Sequence, residues 1–277
     1  MLRRLTLTTA VLLACAAGSD PARAGVLVAP TRLIFEGSER HGEFVLVNKG
    51  HTTERYRISL VNRRMNEEGR IVAAEEPRPD ERFADAMIRF SPRTVVLPPD
   101  EPQTIRILVQ RPGDLPAGEY RSHLMLQQVP DAPPPAAPDP APESARGISI
   151  QITPIYGITV PIIVREGALR ADGALSDLAL VAEPEPRLRL RLHREGTRSL
   201  YGDLDVLHEL PDEAPRVVGR ARGVALYTPN ESRPFEVPLA FPGGGIPTRG
   251  RLRVEYRNAE VGASSLIAEA AVGLAGD

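Results

Sequence analysis

The 277-residue chain is 42% hydrophobic and 25% charged, ordinary for a folded protein with room for more than one core. Its formal charge is −2, from 34 Lys and Arg against 36 Asp and Glu, which excludes the concentrated positive charge that a nucleic-acid footprint needs. Its one cysteine, Cys15, lies in the first 24 residues, so a chain cut after Ala24 carries no disulfide or thiol chemistry.

The opening residues, MLRRLTLTTAVLLACAAGSDPARA, place Arg3 and Arg4 before an apolar run, Leu5 to Ala17, and end in Ala22-Arg23-Ala24. This is the pattern of a secretory signal peptide over residues 1–24, with the mature chain starting at Gly25. The apolar run is shorter than the roughly 20 residues that span a bilayer, and no later run is long enough, so membrane insertion is not expected. The VLLA before Cys15 weakly matches a lipoprotein cleavage box and supports an alternative, a secreted or lipid-anchored structural or adhesive surface protein. Loss of residues 1–24 removes three arginines and Asp20, which moves the charge to −4.

From Gly25 onward apolar and polar residues alternate in short runs between Gly, Pro and Asn, with almost no 3.6-residue period, so the expected class is all-β. Strands are expected near Val26–Glu36, Gly42–Asn48, Arg55–Arg63, Ala86–Arg89, Arg93–Leu97, Gln103–Gln110, Tyr120–Val129 and Ile148–Val164. That count fits one immunoglobulin-like β-sandwich, residues 25–165. Between the last two strands, residues 131–146 hold six prolines and five alanines without an apolar period, an extended or disordered excursion. A second series, from ALSDLALVA through RLRLRLHRE to SSLIAEAAVGL, fits a second sandwich, residues 166–277. Two such sandwiches on a short connection form an L or boomerang.

Enzymes need converging groups, and none stand out. The five histidines, His41, His51, His123, His193 and His208, show no i, i+4 pair, and there is no zinc spacing, no G-x-S-x-G elbow and no cysteine nucleophile. FPGGGIP lies between strands, where no helix N-terminus follows to hold a phosphate. The chain is therefore expected to be no enzyme and to use no cofactor or metal. In RLRLRLH, Arg187, Arg189 and Arg191 share one face and Leu188, Leu190 and Leu192 the other, which reads as a solvated sheet face rather than an anion stripe. PNES at Asn230 matches a glycosylation acceptor by pattern only.

The run GISIQITPIYGITVPIIV, Gly147 to Val164, is a long strand with Ile148, Ile150 and Ile152 on one face, and that parity continues through Pro154, Tyr156, Ile158 and Val160. Such an edge must be covered, or it pairs with another chain, which includes self-association through this strand. Its companions Ser149, Gln151 and Thr153 make a poor core face.

The first domain resembles the periplasmic chaperones of chaperone–usher pilus assembly. The likeness rests on VAPTRLIFEGSER, with Thr-Arg before an apolar triplet, and on FSPRTVVLPPDEPQTIRILVQRPGDLPAGEYRSHLMLQQVP followed by a variable loop and a long alternating strand. The resemblance implies a periplasmic protein that stabilises pilin-like subunits by donor-strand complementation and delivers them to an outer-membrane usher. Under it, Ile148, Ile150 and Ile152 fill the subunit's open groove. Arg32 matches the arginine that binds the subunit's C-terminal carboxylate. The family's partner lysine falls near Thr159; the chain's only lysine, Lys49, lies in an early turn, which leaves Thr159 or a second arginine such as Arg121 to assist Arg32.

Overall fold

The computed structural model describes residues 25–130, 155–260 and 264–274. The first half holds β1 (Val26–Ala29), β2 (Leu33–Phe35), β3 (His41–Asn48), β4 (Glu54–Val61), β5 (Arg63–Met65), β6 (Ile71–Ala73), β7 (Ile88–Ser91), β8 (Thr94–Leu97), β9 (Pro102–Val109), β10 (Gly118–Gln128) and β11 (Gly157–Glu166). The second half holds β12 (Ala171–Val181), β13 (Arg187–Gly196), β14 (Leu200–Glu209), β15 (Arg216–Leu226), β16 (Ser232–Pro238), β17 (Arg251–Asn258) and β18 (Leu266–Gly273). The chain is all-β, built as two sandwiches.

In the first sandwich a sheet ordered β1-β3-β9-β7 faces one ordered β2-β11-β10-β4-β8. Alternation decides which side chains lie between them: Phe44 and Leu46 of β3, Ile105 and Ile107 of β9, Leu124 and Leu126 of β10, and Val160, Ile162 and Val164 of β11 share one core. In the second sandwich β12-β13-β16 faces β15-β14-β17-β18. Here Leu188, Leu190 and Leu192 are buried, whereas Arg187 and Arg189 pair outside with Glu236, and Arg191 with Asp177. The solvated-face reading of RLRLRLH therefore holds.

Two strand expectations are corrected. The run Val26–Glu36 is not one strand. β1 pairs with β3 and β2 runs parallel to β11 in the opposite sheet, with Pro30, which has no N–H to give a ladder, at the crossing. Over Ala86–Arg89 the chain makes a 3-10 turn at Asp85–Met87 before β7 begins at Ile88. The hairpin β5–β6, which no apolar period announces, leaves the first sandwich and reaches the second. At its tip Gly69 has φ +80°, and a Cβ there would lie 2.8 Å from the Arg233 side chain, so glycine fits both the turn and the contact.

Candidate functional site

β11 has a different neighbour on each edge. β10 pairs with it over Gly157–Glu166, while β2 covers only Ile162–Val164. Among the described residues, Gly157–Pro161 therefore has no strand on its outer edge. Its apolar parity enters the core progressively, from half-buried Ile158 to Val160 and fully buried Ile162 and Val164. Upstream, Ile155 and Tyr156 are 56% and 60% exposed, and the Tyr156 carbonyl takes the Gln128 amide at 2.9 Å as β10 ends. Ile148, Ile150 and Ile152, together with the Pro/Ala tract, lie outside the described residues.

The opposite face of the same sheet looks toward the second sandwich. Ile163 of β11 is fully buried there with Met65 and the residues of the second core, beside Ile34, its partner on β2. Its β10 partner is Arg121, and Pro161 faces His123. Arg32, two residues before Ile34, projects into this junction. Its Nη2 donates to the Tyr227 hydroxyl at 3.0 Å, and its guanidinium carbon lies 3.2 Å from the centre of the Tyr201 ring. Arg121 stacks on the Tyr227 ring at 4.2 Å and donates from both terminal nitrogens to the Thr228 carbonyl at 3.3 Å. Among the described residues no carboxylate is within salt-bridge reach of Arg32 or Arg121. Burial holds the Arg121 guanidinium below the usual arginine range. Burial, with the charges of Arg121 and Arg63, pushes His123 down to about 3, so it is neutral. Thr159, opposite Met125 and half-buried, lies toward the open end of β11.

A second cluster fastens the sandwiches together. The Glu119 carboxylate of β10, fully buried, accepts from Arg165 Nε at 3.0 Å and from the Ser199 amide at 3.1 Å, and the Ser199 hydroxyl also donates to it. Arg165 continues to Glu36 at 2.6 Å and to Glu260 at 2.7 Å, and Arg198 adds a bond to Glu260 at 2.9 Å. Burial raises the Glu260 carboxyl, but the bond from Arg165 and the charges of Arg165 and Arg198 outweigh it and hold it below the usual carboxylate range. On the far side Asn230 Nδ2 donates to the carbonyls of Met65 and Asn66, and Arg233 to that of Gly69. The Asn230 amide is thus engaged between sandwiches, which removes the glycosylation reading of PNES.

Sequence reasoning singled out Arg32, Thr159 and Arg121, and the structure brings Arg32 and Arg121 to the same tyrosine. It missed Tyr201, Tyr227, Glu119 and Glu260. All four meet partners that are distant in the chain, the nearest being Arg165 for Glu119, 46 residues away, and no local pattern marks them. Among the described residues no group of His, Asp and Glu is placed to hold a metal ion, and no helix is long and apolar enough to cross a membrane.

No family model matches the chain, and no curated protein matches it. Its matches among solved structures include pilus chaperones. The E. coli chaperone DraB shares 14% identity at a TM-score of 0.44, over 89% of this chain and 96% of that one. The periplasmic chaperone SfaE shares 12% at 0.43, over 89% and 98%. The pre-assembly complex of CsuC with the tip adhesion subunit CsuE, from archaic chaperone–usher Csu pili of Acinetobacter baumannii, matches at 15% and 0.41, over 76% and 90%.

Proposed function

We propose that the chain is a periplasmic chaperone that stabilises pilin-like subunits by lending them the strand that leads into β11, and that passes them to an outer-membrane usher. Residues 1–24 would direct export, residues 25–165 capture the subunit, and residues 166–277 form the second domain. The observation that carries the proposal is the half-open edge of β11. Among the described residues β11 is paired on one side by β10 and unpaired on the other over Gly157–Pro161, and the alternating Ile148-x-Ile150-x-Ile152 run precedes it in sequence; such a segment would offer both backbone groups and side chains to an incomplete sandwich. Burial of those three isoleucines in a partner would contribute about 5–9 kcal/mol before the cost of ordering them. Binding, not bond-breaking, is the whole of the chemistry, and no nucleotide or metal is required for it.

Arg32 would hold the subunit's terminal carboxylate, beside rather than within the strand interface. The test is co-purification of a pilin-like subunit encoded next to this chain. Ile150→Asp with Ile152→Asp is expected to abolish capture and leave the thermal unfolding of the free chain unchanged, because the described part of this segment joins the first core only from Ile158 on. Capture that survives the double substitution sinks the donor-strand proposal.

A further inference from the structure

The Tyr227 hydroxyl accepts from Arg32, and its own proton has no acceptor among the described residues. Arg32 Nη1 likewise has no partner, and neither does Nε of Arg121, a residue only 3% exposed behind the Tyr227 ring. Two arginines and a phenol thus converge without any carboxylate, at the junction where Arg32 remains half-exposed. A cation against the ring face draws electron density from the phenol and strengthens its O–H as a donor. Thr159, neutral and displaced toward the open end of β11, adds no charge beside Arg32; the second charge of the first sandwich there is Arg121, whose terminal nitrogens already donate to the Thr228 carbonyl.

We infer that Tyr227 of the second sandwich is the second donor of the carboxylate site on Arg32: one carboxylate oxygen takes the Arg32 guanidinium and the other the Tyr227 hydroxyl, with Arg121 as supporting charge. This rests on the proposed role of Arg32. Its consequence is that the anchor belongs to both domains and is complete only while they are docked. Tyr201 supplies a flat surface for the Arg32 guanidinium and donates nothing to the ligand.

The experiment uses the mature full-length chain with isotope-labelled arginine Nε and tyrosine Cζ, titrated by NMR with N-acetylglycine and, as the neutral control, N-acetylglycinamide. The carboxylate is expected to shift the Arg32 Nε signal, assigned through Arg32→Lys, and the Tyr227 Cζ signal together and saturably, and the amide to shift neither. Tyr227→Phe keeps the ring and the Arg121 stack, and should weaken binding about tenfold; Tyr201→Phe should not change it. A Tyr227→Phe affinity within about twofold of the parent, or a Tyr227 Cζ signal in the unsubstituted chain that stays put while Arg32 titrates, overturns the role of Tyr227 alone. No saturable shift, or an Arg32→Lys chain that binds as the parent does, overturns the Arg32 anchor and this inference with it, while subunit capture by the isoleucine strand is decided separately.

Discussion

Glu119→Ala tests whether the two sandwiches are held by the buried carboxylate at their junction. Removing one member of a buried ion pair costs about 3–5 kcal/mol when the other charge is left alone. Arg165 would not be alone, since Glu36 and Glu260 stay at 2.6 and 2.7 Å. What the substitution does leave is the Ser199 amide, the Ser199 hydroxyl and Arg165 Nε without their acceptor, all in a region that water does not reach. At about 1–3 kcal/mol for each orphaned buried group, the loss is on the order of 3–9 kcal/mol. It falls on the contact between sandwiches rather than on either core, because every core side chain is untouched. Urea unfolding followed by tyrosine fluorescence should therefore move to a lower midpoint and split into two steps, where the parent gives one. A loss under about 1 kcal/mol with the single step preserved would show that the network is no more than a solvated ion pair and that the junction rests on Ile163, Met65 and Ile34.

Three further outcomes follow from the same contacts. His123 is buried neutral with a folded value of about 3 against about 6.5 unfolded, so the unfolded chain binds more protons between those values and stability falls with falling pH; from about pH 7 to about pH 5 the loss is about 2 kcal/mol, and His123→Gln should remove that part of the slope in urea titrations at the two pH values. Glu260 is held below the usual carboxylate range, so its contribution is present above the unfolded value near 4.3 and is lost as pH falls through the folded one; Glu260→Gln should flatten the acid limb of a thermal-stability profile below about pH 4. Leu190→Ala, in the middle of the second core, should cost about 2–5 kcal/mol in urea unfolding, whereas Arg189→Ala on the opposite face of the strand should cost under about 1 kcal/mol.

Much of the fold is legible from period alone. The alternation in RLRLRLH says which side of β13 is core before any neighbour is known, because a strand has only two faces. The same rule assigns Ile158, Val160 and Ile162 to one side of β11. The break of the opening run is not legible in the same way: VLVAPTRLIF reads as one extended segment, and only the pairing of Val26–Ala29 with β3 and of Leu33–Phe35 with β11 shows that it serves two sheets. Arg121 is the harder case. Nothing in EYRSHLML says that its arginine is buried, and what stacks on it is Tyr227, brought from the other sandwich. A residue that looks ordinary in its own strand is invisible to local pattern, and Tyr201, Tyr227, Glu119 and Glu260 of this junction are of this kind.

β11 shows why the two halves of the proposed function belong in one strand. Its even-numbered residues, Val160, Ile162 and Val164, complete the first core; its odd-numbered residue Ile163 packs into the second cluster, and Arg165 ties the two sandwiches through three carboxylates. The C-terminal end of the strand is therefore fixed on both faces and on both edges, whereas among the described residues the end at Gly157 is paired on one edge only. A strand clamped at one end and open at the other keeps its register when a partner adds to the open end, because a slip by one residue would pull Ile162 and Val164 out of the core and turn Ile163 into it. A partner strand that adds along Gly157–Pro161 would thus meet a register already set by Ile162, Ile163 and Val164. Burial of Ile162 and Val164 and the docking of the second sandwich on Ile163 are what hold that register.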